Sequence, residues 1–228
     1  MSNTGFIKNA ELKHLEHLRE RKQFTDAIKY ASKLTTRAIM EGDYVGCAQV
    51  LGHHALTFEH LYERTHQRRY LDNMLEVIRD GFSLPIPNSE KAILSLRMGK
   101  VYLFKADYGK AEESMRLAYE LVPKNGLQQW EFYGHYSEAI GLNGNLDEAF
   151  RRLRKALINI ARIEVDEEWR KKIVCAGLYC RLIIPAFKQK KYFIATNALI
   201  MGLYYAIYLK VVKGYGLMWD KAKSFNYN

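Results

Sequence analysis

The chain is 228 residues long, 48% hydrophobic and 26% charged, with a formal net charge of +10. That length and apolar share can build a core without metals or disulfides. Three cysteines, Cys47, Cys175 and Cys180, leave an odd thiol under any pairing, which argues against a disulfide framework and for a reducing, cytoplasmic setting.

The opening residues, MSNTGFIKNAELKHLEHLRER, lack the apolar run of an export signal. Apolar residues then recur every three or four positions, as in Ala10, Leu12, Leu15, Leu18 and Ala27, Ile28, Ala31, Leu34, Ala38. This period predicts helices over 6–21, 24–41, 44–65, 67–81, 89–105, 108–121, 127–142, 146–161, 167–188 and 191–210, with a short closing helix near 215–225. Expected N-caps are Asn88 or Ser89, Asp107, Asn145 and Asp166, and Gly42, Gly81, Gly126 and Gly144 are expected to mark helix ends. Four prolines and the absence of a Ser/Gly-rich linker predict one continuous domain over 1–228. The uncharged run Tyr192–Leu209 is at the lower edge of a membrane span, but it contains Thr196, Asn197 and Gly202 and is expected to be a fully buried helix, with no stable membrane insertion.

The stretch GKVYLFKADYGKAEESMRLAYELVP sets small and aromatic residues at fixed offsets. With Ala92 as position 1, Gly99 falls at 8, Tyr102 at 11, Tyr108 at 17, Ala111 at 20, Ala118 at 27 and Pro123 at 32. A second copy from Trp130 places Gly144 at 15, Leu146 at 17, Ala149 at 20, Leu153 at 24 and Ala156 at 27. Small residues at 8 and 20 let paired helices approach, and large ones between them fill the interface. The spacing resembles the tetratricopeptide repeat, a helix–turn–helix unit of 34 residues, most clearly over 92–125 and 130–163. Looser copies lie at Phe24, Ala27 and Leu34, around Gly52, and at Tyr192, Ala195 and Leu199. Around Gly52 about nine extra residues separate the first helix from its partner, on the 34-residue ruler. The resemblance implies an all-α superhelix of about five antiparallel helix pairs, closed by a capping segment at 213–228.

It also implies a non-catalytic adaptor whose first helices line a concave groove for a protein or peptide. Carried over position by position, the groove residues are Val50, His53, Arg97, Lys100, His135, Glu138 and Arg181, a polar row suited to a partner with acidic groups. Arg97 and Lys100 are expected to be exposed, so that reversing both would leave folding unchanged. The Lys and Asn carboxylate clamp of some family members is absent, because its positions read Gln49 and His53, Leu96 and Lys100, Gly134 and Glu138.

The excess charge is one-sided. Residues 1–150 hold 19 Lys and Arg against 20 Asp and Glu, and residues 151–228 hold 16 against 5. Arg151, Arg152, Arg154, Lys155, Lys188, Lys190 and Lys191 form a basic patch, and nucleic acid or another acidic surface is the alternative partner. Tyr192, Tyr208, Tyr215 and Trp219 are interspersed with these lysines. His14 and His17 share a helical face, but no carboxylate completes a metal motif. The GKAEES at Gly109 lacks the earlier glycine of a phosphate loop, and no Ser or Cys has a motif-partnered His. Neither catalysis nor a cofactor is expected.

Overall fold

The structure is a computed structural model and describes residues 6–124, 126–165 and 168–213. Among these residues the chain forms ten α-helices and no strand: α1 (Asn9–Glu20), α2 (Phe24–Met40), α3 (Tyr44–Thr65), α4 (Arg69–Phe82), α5 (Asn88–Phe104), α6 (Tyr108–Leu121), α7 (Gln128–Leu142), α8 (Leu146–Arg162), α9 (Glu168–Lys188) and α10 (Tyr192–Lys213). The expected cap at Asp166, the closing helix near 215–225, Tyr215, Trp219 and most of the capping segment lie outside the described residues.

The chain gathers into two compact units, Met1–Lys105 with α1 to α5 and Ala106–Asn228 with α6 to α10. In the first unit α3 packs on α1, α2, α4 and α5; in the second α7 packs on α6, α8 and α9, and α10 packs on α9. These neighbours explain the burial patterns. Even-numbered helices bury one stripe, as with Ala27, Ala31, Leu34 and Ala38 in α2 or Leu146, Ala149, Leu153, Ala156 and Ile160 in α8. Helices α3 and α7 are buried on several sides, because each lies against helices before and after it.

Asp107 and Asn145 cap α6 and α8 by accepting from the backbone N–H of Lys110 and Glu148, both at 3.2 Å. Asn88 and Ser89 do not cap α5. The cap position is Pro87, whose fixed φ and missing N–H suit the chain's entry into the helix, and Asn88 is already helical. Gly81 lies inside the last turn of α4, where a side chain would come within 2.5 Å of Leu94 Cδ1. Five joints place a left-handed residue directly before the next helix's cap position: Lys22, Gly42, Ala106, Gly144 and Lys190. Three of these are not glycine.

Val50, expected in a groove, is fully buried core in the first unit with Leu34, Leu71, Met74, Ile78 and Leu94. The expectation of a fully buried last helix also fails. Helix α10 turns Phe193, Ile200 and Tyr204 to solvent, while no described helix is long and apolar enough to cross a membrane. Ala111 and Ala118 are fully buried in α6. Ala111→Leu is therefore expected to overpack its site by about 1–3 kcal/mol. Chemical denaturation checks this, and parental stability would remove the repeat register.

Candidate functional site

Within each unit the odd-numbered helices touch one another, α1 on α3, α3 on α5 and α7 on α9. Polar pairs occupy these contacts. Arg19 on α1 is 7% exposed and directs Nη1 to His53 Nδ1 on α3 at 3.2 Å. Because a guanidinium can only donate, His53 accepts through Nδ1 and is neutral. Burial, with Arg19 and Arg97 nearby, lowers its pKa to about 4.

Six residues further along α3, Glu59 is buried and accepts from two cations on α5: Arg97 Nη1 at 2.9 Å and Lys100 Nζ at 2.7 Å. Burial alone would raise this carboxyl, but the charges of Lys100 and Arg97 outweigh it and hold Glu59 ionised, below the usual carboxylate range. His60 is lowered to about 4 by burial, against the opposing pull of Glu59. Arg97 Nε is buried without a hydrogen-bond partner. Nearer the start of α3, Gln49 Nε2 lies 3.4 Å from Glu90 Oε1 on α5, and burial raises the Glu90 pKa.

The second unit repeats this polar link once. Arg181 on α9 lies along the buried ring of His135 on α7, with Nε 3.2 Å from Nδ1 and Nη2 2.7 Å from Nε2. Glu138 Oε2 is 3.8 Å from Arg181 Nε and 3.7 Å from His135 Nδ1. A side chain at Gly177 would come within 2.6 Å of Arg181 Nη1, so bare backbone there leaves space for the guanidinium.

The structure therefore brings His53, Arg97 and Lys100 into one cluster of the first unit, and His135, Glu138 and Arg181 into one cluster of the second. Arg97 and Lys100 are not solvated charges. Their side chains are 17% and 16% exposed, and both are held by Glu59. Sequence reasoning missed Arg19, Glu59 and His60. The available signal was the extra length before α4, since Glu59 and His60 lie in that extended half of α3.

The basic patch is divided. Arg151 and Arg152 both bind Glu148, at 2.6 Å each, and Arg152 also lies over the rings of Tyr136 and Tyr133 at 4.5 and 5.3 Å. Lys188 bonds the Tyr108 hydroxyl and lies over its ring. Arg154, Lys155, Lys190 and Lys191 face solvent. His14 stacks edge-on against Tyr30 at 5.0 Å.

No known family's sequence pattern matches this chain, and no curated protein matches it. Its fold is similar to that of a crystal structure of TPR-like repeats, nearly identical to one another, from a Podosopora anserina protein described as a kinesin light chain. The TM-score is 0.61 at 10% identity, covering 93% of this chain and 100% of that one. A single-substitution variant of that protein gives 0.60 at 9% identity, covering 90% and 96%. The likeness shows the fold, a TPR-like helical-repeat solenoid.

Proposed function

We propose that this chain is a non-catalytic interaction scaffold that binds an acidic, extended peptide or protein segment along the face carried by α1, α3 and α5. The observation that carries this reading is the charge balance of the cluster. Arg97 and Lys100 share one carboxylate, Glu59, with Arg19 nearby on α1, while His53 and His60 are held neutral. A carboxylate-bearing ligand would compensate the remaining positive charge and offer an acceptor to Arg97 Nε. His135, Glu138 and Arg181 are proposed to serve the same binding in the second unit, and a cytoplasmic setting belongs to the same proposal. Nucleic acid ranks second, because Arg151, Arg152 and Lys188 are already engaged by Glu148 or Tyr108.

The test keeps the cluster packed while removing its charge. Glu59→Gln, Arg97→Gln and Lys100→Met are combined, and binding of fluorescent Asp/Glu-rich peptides is followed by anisotropy. The expected result is salt-sensitive binding by the parent and affinity weakened about tenfold or more in the variant, with unchanged helical circular dichroism. Equal binding by both proteins would move the site elsewhere.

A further inference from the structure

Helix α10 has two apolar faces of different kinds. Its inward face is small: Ala195, Ala198, Gly202 and Ala206 are buried where the helix packs on α9, and Gly202 brings the backbone close to Cys180 Sγ. Its outward face is large. Phe193 is 82% exposed, Ile200 57%, Tyr204 59% and Ile207 54%, with Tyr192, Leu199 and Leu203 also exposed. No charged residue occurs between Lys191 and Lys210. The other even-numbered helices turn charges outward instead, such as Lys29 and Lys33 on α2, Glu76 and Arg79 on α4, Glu113 and Arg116 on α6, and Arg154 and Lys155 on α8.

The spacing of this face identifies the shape of its occupant. Phe193, Ile200 and Ile207 recur every seven residues, with Thr196 and Leu203 three positions after the first two. That is the a and d seam of helix-on-helix packing, flanked here by Tyr192, Leu199 and Tyr204. Aromatic side chains contribute about 150–250 Å² each when buried, so the exposed parts of these side chains offer on the order of 800 Å², the area each partner gives to a stable interface. The seam is also self-complementary. Between residues 192 and 209, where it is uncharged, it meets a copy of itself without like-charge contact, and its centre, Ile200, is two helical turns from both Phe193 and Ile207.

We propose that two copies of this chain pair in solution through the outward faces of α10, antiparallel about a two-fold axis that passes Ile200. In that pairing Ile200 meets its own copy, and Phe193 of one chain meets Ile207 of the other.

Sedimentation equilibrium of the full chain tests the pairing. The parent is expected at twice its 26.6 kDa mass, and Ile200→Glu with Tyr204→Glu at the monomer mass with unchanged helical circular dichroism. Cysteine pairing tests the geometry independently, in a Cys180→Ser background and with milder substitutions. Under mild oxidation Ile200→Cys should form a disulfide-linked dimer and Phe193→Cys alone should not, whereas Phe193→Cys mixed with Ile207→Cys should. A monomeric parent would overturn the proposal and assign the face to residues 214–228 or to another protein. A dimer that survives the double glutamate variant, or one that fails to cross-link at Ile200, would overturn it as well.

Discussion

Replacing Arg97 and Lys100 together by glutamate is expected to destabilise the first unit by at least about 3–5 kcal/mol, the cost of breaking a buried ion pair from one side. The Glu59 side chain is 4% exposed, and both of its oxygens are held by the residues being reversed. The variant would leave three carboxylates together where water cannot solvate all of them. Set against a typical domain stability of about 5–15 kcal/mol, this loss is a large fraction of the total. Chemical denaturation followed by circular dichroism measures it. The control reverses Arg154 and Lys155, which face solvent and should change stability by about 0.5 kcal/mol or less. If the two variants proved equally stable, the Glu59 pair would not exist as described. This outcome differs from the expectation drawn from sequence, where both cations count as exposed helix charges.

Acidification should destabilise the same unit before ordinary carboxylates titrate. Burial lowers His53, His54 and His60 to about 4, with Arg19 and Arg97 adding to the effect at His53. The unfolded chain takes up protons on these rings below about 6.5, whereas the folded chain resists until about 4. Their contribution is therefore complete above about pH 6.5 and is lost as pH falls toward 4. Each ring accounts for about 2 kcal/mol at about pH 5, on the order of 4–6 kcal/mol together. Glu90 acts in the opposite sense, since its raised pKa makes its burial less costly once protonated. Denaturation midpoints between about pH 7.5 and pH 5 give the slope. His54→Phe should flatten it by roughly a third, one of three equal terms, because that ring stacks on Phe58 and its buried Nε2 bonds nothing. A level profile in the parent would show that these rings are hydrated.

Helix positions were legible because period and burial coincide. A buried stripe such as Leu146, Ala149, Leu153, Ala156 and Ile160 leaves the same pattern in sequence and in space. Caps were legible at Asp107 and Asn145, where a side chain makes the bond, but not at Asp43, which caps α3 in the same way, nor at Pro87, where no side chain bonds. The joints at Lys22, Ala106 and Lys190 were hidden for a related reason. Their backbone takes the left-handed form that Gly144 takes, but without the glycine that would mark it. The candidate site was half legible. Offsets on the first helices located His53, Arg97, Lys100, His135, Glu138 and Arg181, but the repeat ruler has no position for Glu59, which lies in the extension of α3. A pattern of apolar residues cannot say which buried carboxylate will meet which cation two helices away. It also cannot separate a helix buried all round from α10, whose large side chains face outward.

The polar links between odd-numbered helices also bear on how far this array can be edited. Repeat arrays are commonly treated as sums of interchangeable modules, each adding its own free energy and one interface. That arithmetic fails in the first unit. Excising α3 with α4 would remove the acceptor of Arg19 and the carboxylate shared by Arg97 and Lys100 at once, leaving the last two without their counter-charge. Inserting a second copy would bring in a Glu59 with no cations of its own. Helix pairs here carry addresses, so a trimmed or lengthened version would need its cations and carboxylates rewritten as one set.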